Sequence, residues 1–174
     1  MKKLKLVSNI LTILTGYSLL ILSFGIVLGI FLRAVFNFSL QGVDEYGGYV
    51  VAILVAFGIS QNLLLRGHIR IDFFFDKLSF TVQAYLNLLT YFLFFIFSCF
   101  FLFRSLGTLR DSIDYKSLSG TPLETPLWVP QFIWVLGLLF FVITSTIVFF
   151  HAVKAFLKNK PLFNQEFGPP SIAQ

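Results

Sequence analysis

Charged side chains set inside an apolar chain are the first candidates for chemistry. In "FLRAVFNFSLQGVDEYGGY", residues 31–49, Arg33, Asp44 and Glu45 stand between two long apolar runs. A charge near hydrocarbon is costly unless it is paired or reaches water. Arg33 ends the first run, and Asp44 and Glu45 begin the second, so a short loop joins all three on one side of a membrane. Glu45 can also face the N-terminus of its helix, where free N–H groups and partial positive charge favour an anion. One reading is interfacial snorkelling with water solvating each group. The other is an ion-pair latch between Arg33 and a carboxylate that fixes the first hairpin or receives a partner helix; only the latch explains why both signs occur together.

A second polar cluster lies in "QNLLLRGHIRIDFFFDKL", where His68, Arg70 and Asp72 alternate with Ile69 and Ile71. It reads as an amphipathic segment that lays basic residues at lipid headgroups, or as a docking surface for the cytoplasmic end of another subunit. His68 is chemically able to sense pH, but a structural hydrogen bond is its expected role. Further along, Gln83, Asn87 and Thr90 fall at i, i+4 and i+7 and share a helix face. Such groups hydrogen-bond between membrane helices for about 0.6 kcal/mol each. Gly25 and Gly29 in "GIVLG" permit a close helix approach. Trp128 and Trp134 are expected as membrane-interface anchors, rings buried and N–H groups wet.

These residues do not assemble into a catalytic set. The two histidines, His68 and His151, lie near helix ends, and no histidine pair lies inside the apolar runs to ligate a haem. Zinc-hydrolase spacings, nucleophile elbows and phosphate-cradling glycine loops are missing from the sequence. The single cysteine, Cys99, can form no disulfide within the chain and reads as a small packing residue. Neither enzymatic activity nor a cofactor or metal is expected.

The elements that must carry these residues follow from composition. Of 174 residues, 57% are hydrophobic and 12% charged, about half the charged fraction of a soluble domain. Mean hydropathy is +0.86. Four apolar runs, at about 6–32, 46–65, 80–103 and 129–150, are long enough to cross the ~30 Å hydrocarbon core as helices and do not alternate as barrel strands would. The fold class expected is all-α integral membrane, one four-helix domain over 1–160 and a mobile tail over 161–174. The first run is too long for a signal peptide and has no small-residue cleavage site. Lys2, Lys3, Lys5, Arg66, Arg70, Lys77, Lys154, Lys158 and Lys160 fall on one side, against Arg33, Arg104, Arg110 and Lys116 on the other. That asymmetry places both termini in the cytoplasm, and the net charge of +5 then faces anionic headgroups, with no nucleic acid required. In the third loop, the N-terminal part can extend the third helix, Gly120, Pro122 and Pro126 mark turns, and Pro130 fits the first turn of the last helix. No internal repeat or broken helix marks a substrate site of the kind self-sufficient carriers have.

Three passages resemble the small membrane (Q-type) subunit of TRAP transporters, the tripartite ATP-independent periplasmic family. They are "FLRAVFNFSLQGVDEYGGY", "NLLLRGHIRIDFF" and "TPLETPLWVPQFIWVLGLLFF", in the family's order and spacing over nearly the whole chain. One departure stands out: Gly42 and Val43 occupy the place where family members often carry a tryptophan, before an acidic pair that here is Asp44–Glu45. The resemblance implies a scaffold in a bacterial inner membrane that transports nothing alone. It implies a large M-type subunit that moves a small organic anion with sodium, and a periplasmic substrate-binding protein that delivers it. Two other classes fit the outline: a quinone-linked membrane anchor, which lacks its ligands here, and a self-assembling small channel or exporter with Gln83, Asn87 and Thr90 lining the pore.

Overall fold

The computed structural model describes residues 2–38, 42–65, 78–158 and Phe163. Four α-helices account for nearly all of them: α1 (Lys2–Phe36), α2 (Val43–Leu65), α3 (Phe80–Asp114) and α4 (Trp128–Lys158). In lipid every backbone N–H and C=O must bond within its own segment, and apolar runs with no proline beyond the first turn meet that demand as helices. All four are long and apolar enough to cross a membrane. Among the described residues there is no strand, only an isolated bridge between Leu118 and Pro126.

The helices outrun their apolar runs. α1 and α3 each have 35 residues, or about 52 Å of helix against a hydrocarbon core of about 30 Å. Lysines and an arginine are good helix formers whose stems lie along the helix while their charges reach water. The helix therefore continues through Lys3, Lys5 and Arg33 at the ends of α1. α3 continues past Arg104, through the exposed i,i+4 pair Arg110–Asp114 at 3.5 Å. It ends in a Schellman closure: Ser117 N–H bonds Ser112 O at 3.0 Å and Lys116 N–H bonds Ile113 O at 3.2 Å. Lys116 takes the left-handed conformation this closure needs, with φ 49°.

The helices lie side by side in the order α1–α2–α4–α3. The inner pair, α2 and α4, approach most closely where Gly137 faces Ala56. A Cβ on Gly137 would stand 2.8 Å from Ala56 Cβ and 3.3 Å from its carbonyl carbon. On the outer side of α4, α3 presents Ala84, Tyr91, Ser98, Ser105 and Ser112 as buried residues. These recur every seventh position, the spacing of a left-handed helix seam, with small side chains letting the helices close up. Ser98 and Ser145 bond each other across it at 2.7 Å.

That contact carries the first expected outcome. In a double-mutant cycle of Ser98→Val and Ser145→Val, the coupling should be about 0.6 kcal/mol, the average for hydrogen bonds between membrane helices. Thermal unfolding in detergent measures it; zero coupling would show that shape alone holds the seam.

The largest buried cluster joins Leu63 and Leu64 of α2, Ala84 and Tyr91 of α3, Phe141, Val148 and Ala152 of α4, and Phe163, with Leu4 of α1 packed against it. It gathers toward the end of the bundle that carries the chain termini. Of the tail expected to be mobile, only Phe163 is described, and it is fully buried with its ring 5.6 Å from that of Phe156. The rest of 161–174 lies outside the described residues, as do His68, Arg70 and Asp72.

α1 is the least covered helix. No residue in its most apolar stretch is buried, and a Cβ at Gly16 or Gly25 would meet nothing within 4 Å. The close approach that "GIVLG" permits is thus not used at Gly25 within this chain. Cys99, expected as a packing residue, is exposed on α3.

Candidate functional site

The polar structure of the molecule concentrates at the end where the α1–α2 and α3–α4 loops meet. The α3–α4 loop folds back on itself as a short hairpin. Ser119 N–H bonds Thr125 O at 2.9 Å, Leu127 N–H bonds Ser117 O at 3.0 Å, and Glu124 N–H bonds Thr121 O at 3.0 Å across the tip. The Ser119 hydroxyl accepts from Thr125 N–H at 3.0 Å and lies 2.9 Å from the Thr121 hydroxyl. Glu124 takes a left-handed φ of 47° to close the turn. The prolines and glycine that mark the segment as a turn in the sequence deny it a longer helix, and these local bonds then give it one shape.

This hairpin docks on the first turns of α2 through Glu45. The Thr121 hydroxyl donates to Glu45 Oε2, and the Tyr49 hydroxyl, one turn along α2, donates to Oε1 at 2.8 Å. Tyr46 stacks edge-on against Tyr49 at 6.3 Å and braces it. Beside Glu45, Leu123 presses on Gly42, where a Cβ would run into its side chain and where φ is +88°. The backbone conformation at 42 calls for glycine.

Arg33 is exposed in the last turn of α1, and among the described residues the one ion pair is Arg110–Asp114. Of the two carboxylates the expected latch offers to Arg33, Glu45 is therefore not its partner; hydroxyls from α2 and the distant loop occupy both Glu45 oxygens instead. Asp44 begins α2, and its side chain lies outside the description. Of the expected polar face on α3, Asn87 is buried at 1% exposure. Thr90 turns back on its own helix to Leu86 O at 2.9 Å, and Gln83 Nε2 donates to Leu78 O at 3.0 Å. The two tryptophans separate as well. Trp128 is exposed at the start of α4, while Trp134 turns inward and meets Phe101 edge-on at 5.8 Å.

Sequence reasoning missed Thr121, Tyr49, Ser119 and Thr125. Tyr49 carried a usable signal, since it lies four residues after Glu45 and so on the same helix face. The loop hydroxyls carried none, because the contact spans 76 residues.

The bond geometry gives a second expected outcome. Glu45→Ala should free the hairpin, raising amide hydrogen exchange over residues 115–127 severalfold, since exposed loops open at low free-energy cost once their anchors are gone. Thr121→Val should reproduce most of the effect and Arg33→Ala none of it. Equal exchange in all three variants would mean that the hairpin holds itself.

What the arrangement offers chemically is support. It provides a closed carboxylate–hydroxyl clasp at one end, an aromatic and aliphatic plug at the other, and a largely uncovered apolar helix along one edge. Among the described residues no group of three or more potential metal ligands gathers. A family model described as "Tripartite ATP-independent periplasmic transporters, DctQ component" matches residues 22–155, well over half of the chain. No curated protein matches it.

Proposed function

Because the chain belongs to the family of DctQ components of tripartite ATP-independent periplasmic transporters, we propose that it is the non-catalytic scaffold subunit of such a transporter. It is a multi-pass membrane protein and a transporter subunit by family. On our reading it carries no substrate itself. A large M-type membrane subunit moves a small organic anion coupled to sodium, and a periplasmic substrate-binding protein delivers the anion. The membrane is a bacterial inner membrane, with both termini in the cytoplasm as the lysine and arginine asymmetry favours.

The observation that carries this reading is the open row of helices. Four helices that only needed to satisfy each other would close into a bundle and bury their apolar faces. Here α1 packs along α2 and leaves Leu20, Ile21, Phe24 and Val27 each at least 64% exposed. Lipid can cover such a flank, but at Gly25 the backbone of α1 is also open to another helix at close range. In the proposed complex that helix belongs to the M-type subunit. Arg33, exposed and without an ion pair among the described residues, would meet a partner carboxylate on this reading, and Asp44 would belong to the same partner interface. On this reading His68, Arg70 and Asp72 belong to the cytoplasmic interface segment, and Trp128, exposed at the start of α4, marks the periplasmic interface.

Reconstitution tests the role. Proteoliposomes containing the M-type subunit, this chain and the binding protein should take up the anion along a sodium gradient, and omission of this chain should abolish uptake. Uptake by this chain alone, or undiminished uptake without it, would end the scaffold reading.

A further inference from the structure

The clasp end of the molecule also holds a cavity of about 230 Å³ between α2 and α4, lined by Tyr49, Ala52, Leu127, Pro130, Gln131 and Trp134. We propose that it is a lipid site, taking part of one acyl chain of a phospholipid whose headgroup is ethanolamine. This needs only that the four helices span a membrane, and it holds whether or not the scaffold role does.

Depth selects hydrocarbon. Tyr49 and Ala52 lie six and nine residues after the start of α2 at Val43, about 9–13 Å along the helix axis. α2 has 23 residues, about 34 Å, so it nearly matches the hydrocarbon core of ~30 Å. The cavity therefore opens at the upper part of the acyl region. It has room for about eight groups of ~30 Å³, the volume of a liquid water molecule. Water itself fits poorly, since each buried molecule needs two to four polar partners. Left empty, the walls would lose their contacts on one side. At this depth the surrounding solvent is acyl chain.

The rim selects the headgroup. Gln131 Oε1 is buried and has no hydrogen-bond donor. Glu45 lies next to that wall through its bond to the cavity-lining Tyr49; hydroxyls hold both its oxygens, but no ion pair among the described residues offsets its charge. Gln131 thus lacks a donor and Glu45 lacks a counter-charge among the described residues. A primary ammonium provides N–H donors and positive charge together. A choline headgroup has the charge without N–H groups, and a phosphatidylglycerol headgroup sets like charge against Glu45.

The full chain carries two tryptophans, so Trp128→Phe leaves Trp134, in the cavity wall, as the one indole reporter. This variant is placed in phosphatidylcholine nanodiscs doped with a minor fraction of lipid brominated on its acyl chains, as the ethanolamine, choline or glycerol form. The brominated ethanolamine lipid should quench Trp134 emission severalfold more than either of the others at equal fraction. Glu45→Gln should shrink that excess, and Ala52→Leu, which fills the cavity, should remove it. Equal quenching by all three lipids overturns the proposal and leaves the cavity to a protein side chain. An ethanolamine excess that survives Ala52→Leu overturns it too, since the lipid would then sit elsewhere. The comparison among lipids uses no cavity variant and so does not depend on how such a variant folds.

Discussion

Gly137→Leu should unseat α2 from α4 and abolish assembly of the subunit. Even a methyl at this position would lie 2.8 Å from Ala56 Cβ and 3.2 Å from the ring of Phe57, with backbone at 3.3 Å behind them. Backbone cannot swing aside as a flexible side chain can, so the helices must part. Overpacking of this kind costs about 1–3 kcal/mol, and more where the surroundings cannot yield. The site magnifies the loss, because α2 and α4 are the inner pair and each carries one outer helix. The expected result is a large fall in the thermal midpoint in detergent, with loss of any co-purifying partner. Gly25→Leu is the informative contrast. Nothing in the chain stands within 4 Å of a Cβ there, so its own stability should hold. Assembly should nonetheless suffer if the flank of α1 is where a partner helix lies. Equal thermal losses at 25 and 137 would contradict the packing described here.

Phe163→Ala should release the C-terminal segment from the bundle. Phe163 has no exposed surface and sits in the cluster shared by α2, α3 and α4. Truncating a buried phenylalanine to alanine costs about 3–5 kcal/mol where the surroundings collapse incompletely. Release of the Phe163 position from its slot should absorb much of that cost. Limited proteolysis reads the difference: a protease acting after α4 should clip the variant many times faster than the parent. Phe163→Leu, which keeps most of the apolar volume, should stay closer to the parent. Equal cleavage in all three would mean that Phe163 anchors nothing.

Phe163 also shows where reading a sequence falls short. "PLFNQEFGPPSIAQ" has glycine, two adjacent prolines and no apolar period, the marks of an unanchored end. A single aromatic finding a slot between distant helices leaves no periodic trace. The four membrane helices are different. They rest on composition and length, properties each segment carries by itself, and all four are present. Local charge patterning drew attention to Arg33, Asp44 and Glu45, while the bonds Glu45 makes go to Thr121 and Tyr49. Opposite charge is the obvious complement of a carboxylate in a sequence, whereas a threonine 76 positions away becomes one only when the loop folds back. The serine seam of α3 was legible in principle, since Ala84, Ser98, Ser105 and Ser112 keep a seven-residue register. Polarity drew attention to Gln83, Asn87 and Thr90, of which Asn87 alone is buried. Small size, rather than hydrogen-bonding capacity, decides which face two membrane helices share.

The scaffold account stands or falls on the uncovered edge of α1 having an occupant. The direct measurement is to co-express the tagged chain with a large M-type subunit from the same genome, solubilise the membranes, and determine what co-purifies and in what ratio. The account predicts a stable one-to-one complex that Gly25→Leu weakens while the isolated chain keeps its thermal midpoint. A chain that purifies alone, stays folded and takes up solute by itself in liposomes would contradict it, and would make the open row of helices the wall of a channel built from its own copies.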